Sequence, residues 1–242
     1  MELTVLGCTG SYPGPGDVCS GYLVTGAGVR LWLDCGPGTL ARLQTQVDLD
    51  ALDGVVVTHS HPDHWTDLAA WHIAVRYLRK RTGVPVFSPA RVRDLVAEIN
   101  GGLGAETDWH VVASGDRVAV GDMGISFSRT DHGPETLAVR FDEAGGGSLA
   151  YSADTGPDWS FERLGGGIDL ALCEASLTPS QERTVQHLSA RQAGALARRA
   201  GVGRLVVTHF PPGIDPHRQQ ADAAEAFGAP VGMAAPGATF EV

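Results

Sequence analysis

Short apolar runs recur along the whole chain and are bounded by glycine, proline and small polar residues, a pattern that predicts β-strands. We predict strands at residues 3–6, 22–25, 29–33, 55–58, 118–120, 125–128, 137–141, 149–151, 170–173 and 205–208. Helical periodicity appears between some of these runs. Strands in both halves with helices between them favour two mixed sheets packed together and covered by helices over a simple βαβ repeat.

Two stretches place apolar residues three or four positions apart, which is the spacing of one helix face. They are Leu68, Trp71, Val75 and Leu78, and then Val92, Leu95, Val96 and Ile99. Ser88 followed by Pro89 predicts the start of the second helix. Ser189 with Gln192 three residues later forms a capping-box pattern that predicts a third, alanine-rich helix.

The composition favours one cytoplasmic domain over residues 1–242. With 242 residues and 43% hydrophobic content, the chain can bury a substantial core. The net charge of −10 argues against attraction to a nucleic-acid backbone or an anionic membrane. We find neither a signal segment nor an apolar run of membrane-spanning length. The four cysteines form no C-x-x-C pair, so we expect reduced residues in the core or in loops.

Four residues of metal-ligand type fall within six positions after the apolar run 54–57. Positions two apart in an extended segment point the same way, so His59 and His61 can present imidazoles to one metal. Pro62 then turns the chain, and Asp63 with His64 can address a second metal. Imidazole and carboxylate suit zinc, while manganese, iron and nickel stay open because no thiolate narrows the choice.

The sequence around the first histidine is echoed near the end of the chain. Val56-Val57-Thr58-His59 reappears as Val206-Val207-Thr208-His209. Each tetrapeptide ends a buried-looking strand and precedes a proline-containing loop. We therefore expect two strand ends to deliver ligands to one site.

The spacing H-x-H-x-D-H resembles the signature of the metallo-β-lactamase superfamily, and the resemblance extends along nearly the whole chain. It implies a four-layer αββα sandwich, that is, two mixed β-sheets flanked by helices. Asp131-His132-Gly133, Asp154 within residues 152–156 and Thr208-His209-Phe210 look like the remaining ligand elements. The resemblance implies two divalent metal ions, one bound by His59, His61 and His132, a second by Asp63, His64 and His209, and Asp154 shared between them.

Two further elements resemble the phosphodiesterase branch, which includes RNase Z and the atypical cyclic-nucleotide phosphodiesterases. They are Cys173-Glu174-Ala175 and His187-Leu188-Ser189-Ala190. In that branch a glutamate orients a histidine that protonates the leaving oxygen, which implies those roles for Glu174 and His187. Two metals would lower the pKa of a water between them from about 15.7 toward roughly 7, and Asp63 would orient the resulting hydroxide. The implied reaction is hydrolysis of a phosphodiester.

A small substrate is favoured over RNA. We find no insertion like the long arm with which RNase Z grips tRNA. The basic run formed by Arg76, Arg79, Lys80 and Arg81 is typical of a solvated face. The elements at residues 20–23, 173–176 and 239–242 look like those of compact atypical cyclic-nucleotide phosphodiesterases, so a 3′,5′-cyclic nucleotide is the leading substrate. Family resemblance also favours a homodimer.

Several alternatives stay open at the level of sequence. Lactone, thioester and β-lactam hydrolases share the fold and much of the ligand set, and tRNA 3′ processing is a second rival. A non-catalytic module is disfavoured because no ligand position is lost. The glycine-rich segment 7–14 either brings backbone amides near a phosphate or forms an ordinary turn. His72, His110 and His217 are expected to be structural, with pocket lining as the alternative for His217.

Overall fold

The computed structural model describes residues 1–79 and 81–242. Within these residues the strands are β1 (Glu2–Gly7), β2 (Gly21–Gly26), β3 (Val29–Cys35), β4 (Gly54–Val56), β5 (Val84–Ser88), β6 (Thr107–Val111), β7 (Arg117–Val120), β8 (Met123–Arg129), β9 (Leu137–Glu143), β10 (Ser148–Tyr151), β11 (Leu170–Glu174), β12 (Arg204–Thr208), β13 (Gly232–Met233) and β14 (Thr239–Glu241). The α-helices are α1 (Thr39–Gln46), α2 (Pro62–Ile73), α3 (Ala90–Ile99), α4 (Ala190–Arg199) and α5 (Pro216–Phe227), and a π-helical segment (Ala74–Arg79) continues α2.

The strands form two mixed seven-stranded sheets. The first has the order β14-β1-β2-β3-β4-β5-β6, and the second has the order β13-β12-β11-β10-β9-β8-β7. In the first sheet β1, β2 and β3 pair antiparallel, whereas β3 to β6 pair parallel. In the second sheet β7 to β10 pair antiparallel and β10 to β13 pair parallel. Each sheet therefore joins a meander to a set of parallel strands that need helical crossovers.

Three buried clusters show that the molecule has four layers. Leu31 and Leu33 of β3 pack into the cluster between the two sheets, whereas Trp32 between them packs under α1, α2 and α3. This alternation is expected for a strand with both faces buried. The third cluster lies between the second sheet and helices α4 and α5. The predicted αββα sandwich is confirmed.

Helix α4 begins where the capping box predicts. The Ser189 side chain accepts a hydrogen bond from the backbone N–H of Gln192, and the Gln192 side chain accepts one from the backbone N–H of Ser189. Two backbone donors that the first helical turn leaves free are satisfied in this way. Local sequence is sufficient to place this helix start.

The second helix begins one residue later than the Ser88–Pro89 pattern predicts. Helix α3 begins at Ala90, Pro89 is its N-cap, and Ser88 is the last residue of β5. Ser88 stays in the strand because its carbonyl oxygen accepts the N–H of Val112 and its hydroxyl accepts Trp109 Nε1. Both partners are distant in sequence, so tertiary pairing overrides the local signal.

The helix face that includes Leu78 is also interrupted. Ile73 ends α2, and the wider π-helical turn rotates the following residues off the buried face. Val75 is buried, but Leu78 is 77% exposed. Strands β5, β6, β13 and β14 and helices α1 and α5 were not predicted. In most of them the apolar residues are few or interrupted by polar ones, and in β5 the apolar run is interrupted by Pro85, a residue that argues against a strand.

Among the described residues, none of the helices combines the length and apolar composition needed to cross a bilayer. All four cysteines are buried and unpaired, in agreement with the expectation of reduced residues.

Candidate metal centre

The carboxyl ends of three neighbouring parallel strands meet at one edge of the second sheet. Asp154 follows β10, Glu174 ends β11 and His209 follows β12, and β10, β11 and β12 pair parallel in this order. Functional side chains of such sheets commonly project from this edge. The three residues are far apart in sequence but are brought together by the pairing.

The histidine motif follows β4 of the first sheet and lies beside the same edge of the second sheet. The chain continues beyond β4, and the carbonyl oxygen of Thr58 accepts the N–H of Leu137 from the second sheet. His59 and His61 follow at this junction. Pro62 begins α2, which places Asp63 and His64 in the first turn of that helix.

One cluster of donor atoms gathers around the shared aspartate on its Oδ2 side. The Nδ1 atom of His61 lies 3.2 Å from Nε2 of His59 and 3.1 Å from Nε2 of His132. Asp154 Oδ2 lies 3.5 Å from Nε2 of His59 and 3.8 Å from Nε2 of His132. These are the four residues predicted around one metal.

A second cluster gathers on the Oδ1 side of Asp154. Nε2 of His64 and Nε2 of His209 are 3.2 Å apart, and Asp63 Oδ2 is 3.3 Å from Nε2 of His209. Asp154 Oδ1 lies 3.3 Å from His64 Nε2 and 3.4 Å from His209 Nε2. Asp154 therefore turns one oxygen to each cluster, and all seven predicted ligand positions converge.

Asp34, which the sequence analysis missed, orders two of the histidines. Its Oδ2 accepts Nδ1–H of His64 at 2.7 Å. The Thr58 hydroxyl donates to Asp34 at 3.0 Å, so its oxygen can accept the Nδ1 proton of His59, also at 3.0 Å. Both rings thus carry a proton on Nδ1, and their Nε2 atoms point into the clusters.

Two other histidines are held in the same tautomer from the second sheet. Nδ1–H of His132 donates to the carbonyl oxygen of Gln186 at 2.8 Å. Nδ1 of His209 lies 2.8 Å from the hydroxyl of Ser176, which in turn lies 2.6 Å from Oε2 of Glu174. Four Nε2 atoms are therefore directed at the centre.

The carboxylates and imidazoles of the two clusters shift one another's pKa values. Burial lowers the pKa of His59 to about 4. Burial also opposes protonation of His64, but the neighbouring carboxylates of Asp154, Asp63 and Asp34 outweigh it and raise its pKa well above the usual value. Burial alone would raise the pKa of Asp63 and Asp154, yet the adjacent imidazoles hold both pKa values well below the usual range. One protonated ring serves as counter-charge to several carboxylates.

A divalent cation fits this donor set better than internal hydrogen bonds do. Asp154 Oδ1 is buried and has no hydrogen-bond donor among the described residues, which is costly unless a cation satisfies it. Two nitrogens bound to one tetrahedral zinc at about 2.0–2.1 Å lie about 3.4 Å apart. The separations of 3.1–3.2 Å between facing imidazole nitrogens approach this value.

The backbone around the clusters adopts unfavourable conformations. Asp34, Ala153 and His209 have φ values of 54°, 51° and 62°, in the left-handed region that residues other than glycine rarely adopt. Such strain concentrates at functional sites, where the surrounding fold imposes it. Here it directs the side chains of Asp34, Asp154 and His209 toward the centre.

The predicted acid pair lies beside the two clusters. Nδ1 of His187 is 2.8 Å from Oε1 of Glu174, which is fully buried. The His187 ring lies 4.9 Å from the ring of His132 and 5.7 Å from that of His209, between centroids. Burial opposes protonation of His187, but the Glu174 carboxylate outweighs it and raises the pKa of His187 to about 9.

The glycine-rich segment 7–14 contacts the centre through its backbone. The N–H of Ser11 donates to Asp63 Oδ2 at 2.7 Å, so this amide serves a side chain of the site. Gly10 packs directly on His209, because a Cβ at that position would lie 2.7 Å from the ring Nδ1. The sequence analysis gave Gly10 no role, and no local pattern distinguishes it from an ordinary turn glycine.

The remaining histidines lie apart from the centre. His72 is buried and lies 2.8 Å from Glu106 Oε1, and His110 pairs with Asp108 on the surface. His217 is exposed in the first turn of α5. One signal could have revealed Asp34, namely an acidic residue inside the apolar run that forms β3, because such a residue is buried only with partners.

Comparison with known proteins shows the family of this chain. Residues 29–210 match the family described as the Beta-lactamase superfamily domain. The chain is 33% identical over 253 residues to protein Rv1339 of Mycobacterium tuberculosis, an alignment that covers all of this chain and 92% of the other. It is 27% identical over 252 residues to ribonuclease Z of Mycobacterium bovis, covering 91% and 89% of the two chains.

A relative with a solved structure allows the fold to be compared directly. The chain is 30% identical over 218 residues to the probable metallo-hydrolase YhfI of Bacillus subtilis, covering 87% of each protein. The crystal structure of YhfI aligns with a TM-score of 0.91 at 25% identity, over 99% of this chain and 98% of that one. The two proteins share one architecture throughout.

Proposed function

This chain belongs to the β-lactamase superfamily, and from that premise we propose that it is a binuclear phosphodiesterase for small phosphodiesters, with a 3′,5′-cyclic nucleotide as the leading substrate. It is a metal-dependent hydrolase, as the names of its relatives and the two His/Asp clusters together indicate. The observation that carries the finer proposal is the Glu174–His187 pair beside those clusters.

Seven residues would hold the two cations. His59, His61 and His132 would bind the first, Asp63, His64 and His209 would bind the second, and Asp154 would contribute one oxygen to each. Divalent cations in such a site supply Lewis acidity, which lowers the pKa of water and offsets negative charge on phosphoryl oxygens. Zinc suits the imidazole and carboxylate donors, with manganese, iron and nickel as alternatives.

Asp63 would also orient the attacking water. Its Oδ2 accepts the N–H of Ser11 and faces His209. Its other oxygen can therefore accept a hydrogen bond from a water at the second cluster. The Ser11 amide holds Oδ2 in place and so restricts the orientation of the carboxylate.

His187 would donate the proton to the leaving oxygen. Glu174 favours the imidazolium form at neutral pH and holds the ring by its Nδ1, which leaves Nε2–H as the donor. The side chain of His187 is 19% exposed, so substrate can reach it, whereas Glu174 is buried. An alkoxide leaving group requires such an acid, because an alkoxide is a strong base.

The basic run near the end of α2 supports a small substrate. Arg76 lies 3.7 Å from Glu106, and Arg79 lies 3.2 Å from Asp50. Arg81 donates to the carbonyl oxygens of Leu49 and Leu52. Lys80 lies outside the described residues. These three arginines are already engaged within the protein, which weakens the case for a groove that binds RNA.

Four sequence predictions remain part of the proposal. They are the single domain over residues 1–242, the cytoplasmic location, the homodimer, and the choice of a small molecule over nucleic acid as partner, with no membrane partner. Each is independent of the metal chemistry. Gel filtration with light scattering would test the homodimer.

A metal assay combined with a substrate panel tests the function. Plasma emission spectrometry should find two metal ions per chain. The panel contains cAMP, cGMP and bis(p-nitrophenyl) phosphate, with nitrocefin, a homoserine lactone and a 3′-extended precursor tRNA as rivals. We expect hydrolysis of the first three. Turnover of the lactone or nitrocefin alone would assign an acyl hydrolase, and efficient tRNA cleavage would replace the small substrate.

A further inference from the structure

Ser176 lies between the proposed acid pair and one of the proposed metal ligands. Its hydroxyl oxygen is 2.6 Å from Oε2 of Glu174 and 2.8 Å from Nδ1 of His209. The residue is buried, at 5% exposure. Ser176 belongs to the element 173–176 of the family resemblance, which assigns it no role.

The hydrogen-bond partners fix the direction of each proton. Glu174 accepts the N–H groups of Thr155 at 2.7 Å and Leu188 at 3.3 Å, as well as the ring proton of His187. A group surrounded by donors in this way acts as a carboxylate. The single hydroxyl proton of Ser176 therefore goes to Glu174, in a short charge-assisted hydrogen bond.

His209 must then be the donor to Ser176. With its proton committed to Glu174, the hydroxyl oxygen accepts Nδ1–H of His209. The hydroxyl also lies 3.1 Å from the carbonyl oxygen of His209, but one proton cannot serve both acceptors and the carboxylate is closer. The lone pair of His209 is consequently on Nε2, which faces Asp63 and Asp154.

We propose that Ser176 is a positioning residue that fixes the tautomer and orientation of His209, so that one carboxylate orders both a metal ligand and the acid. Oε1 of Glu174 holds His187, and Oε2 holds His209 through Ser176. The inference rests on the proposed role of His209 as a metal ligand. Outer partners of ligating histidines typically change metal affinity by about 10- to 100-fold when removed.

Replacement of Ser176 by alanine tests the inference, with Ser148→Ala as the matched control. Ser148 is equally buried, and its hydroxyl has no hydrogen-bond partner in the described part of the chain. Metal-free protein would be titrated with Zn²⁺ against a chromophoric chelator. We expect S176A to bind one of its two ions at least about tenfold more weakly and the other unchanged. S148A should bind both ions as the wild type does.

A second pair of variants covers the case in which S176A fails to fold. Thr and Val have the same shape, but Thr keeps the hydroxyl. Ser176→Thr should therefore retain tighter Zn²⁺ binding than Ser176→Val. Thermal unfolding of the metal-free variants would show how far each is destabilised, and a purely structural role would lower both affinities equally.

The contribution of the Ser176–Glu174 hydrogen bond can be tested separately. In a Glu174→Gln background the serine proton no longer meets a carboxylate, so adding S176A should cause a smaller further loss of Zn²⁺ affinity than it does in the wild type. Equal losses in both backgrounds would remove Glu174 from the proposed link.

The titration is independent of substrate, which separates this inference from the proposed function. If no phosphodiester is hydrolysed but S176A loses Zn²⁺ affinity, the function is wrong and the positioning role stands. Wild-type Zn²⁺ binding in both S176A and S176V would overturn the role of Ser176. A wild-type protein that binds none of Zn²⁺, Mn²⁺, Fe²⁺ and Ni²⁺ would overturn the ligand role of His209 and this inference together.

Discussion

Asp34 Oδ2 accepts a hydrogen bond from Nδ1 of His64 at 2.7 Å, deep in the protein, with both side chains fully buried. The same carboxylate accepts the backbone N–H and the hydroxyl of Thr58, the residue before His59. One aspartate of β3 thus orients ligands for both proposed metal ions. A carboxylate behind a histidine in this way fixes its tautomer and increases its basicity as a ligand.

Asp34→Asn should lower metal affinity by about 10- to 100-fold. An amide is nearly the same size as the carboxylate, but its NH₂ group cannot accept the Nδ1 proton of His64. The affinity is measured by Zn²⁺ titration of the metal-free protein. Asp53→Asn is the control, because Asp53 accepts the backbone N–H of Arg30 away from the centre. Unchanged affinity in D34N would show that Asp34 only supports the fold.

Replacing ligand residues should remove both metal and activity. His61→Ala and Asp154→Ala are expected to lose bound metal by plasma emission and to reduce turnover to the level of the buffer blank, because each deletes a donor at the shared centre. His110→Ala should retain both properties, since His110 pairs with Asp108 on the surface. Full metal content in D154A would contradict the proposed bridging position.

His187→Ala should retain metal and lose rate, and the loss should depend on the leaving group. General acid catalysis contributes about 10²- to 10⁴-fold, so a cyclic nucleotide should suffer a loss of that order. Bis(p-nitrophenyl) phosphate should lose far less, because p-nitrophenolate is stable without protonation. Steady-state kcat values for both substrates give the comparison. Equal losses would argue against proton donation by His187.

The acid role of His187 also predicts a pH dependence. Its raised pKa of about 9 means that the protonated donor is present through neutral pH and is lost as the pH rises through that value. Bound cations favour the neutral ring, so pH 9 is an upper limit for the fall in kcat with a cyclic nucleotide. The fall should be absent from H187A, and its persistence there would assign it to another group.

Gly10→Ala should weaken metal binding although it replaces no ligand residue. The added Cβ would lie 2.7 Å from Nδ1 and 2.9 Å from the carbonyl oxygen of His209, so the ring must move. Crowding of this kind typically costs about 1–3 kcal/mol. Gly166→Ala is the control, because a Cβ there meets nothing within 4 Å. Zn²⁺ titration and thermal unfolding of both variants would distinguish a local from a global effect.

Much of the centre could be predicted from sequence because its signals are local. Four ligand-type residues within His59–His64 have no ordinary structural use, and strand periodicity places His59 and His61 on one side. The capping box of α4 is likewise formed by two residues that are close in sequence. His132 and Asp154 were found through resemblance, because nothing in their own neighbourhoods identifies them as ligands. His209 was found through resemblance and through the echo of residues 56–59 at residues 206–209.

The tertiary structure alone decided which residues orient these ligands. Asp34, Ser176 and Gly10 act through partners 30, 33 and 199 residues away, a distance at which sequence pattern carries no information. Strand pairing also kept Ser88 in β5 against its local helix-start signal. The sequence alone determined which chemical groups are present and which of them are neighbours along the chain. Their tautomers, charges and common centre depend on contacts that exist only after the two sheets have packed.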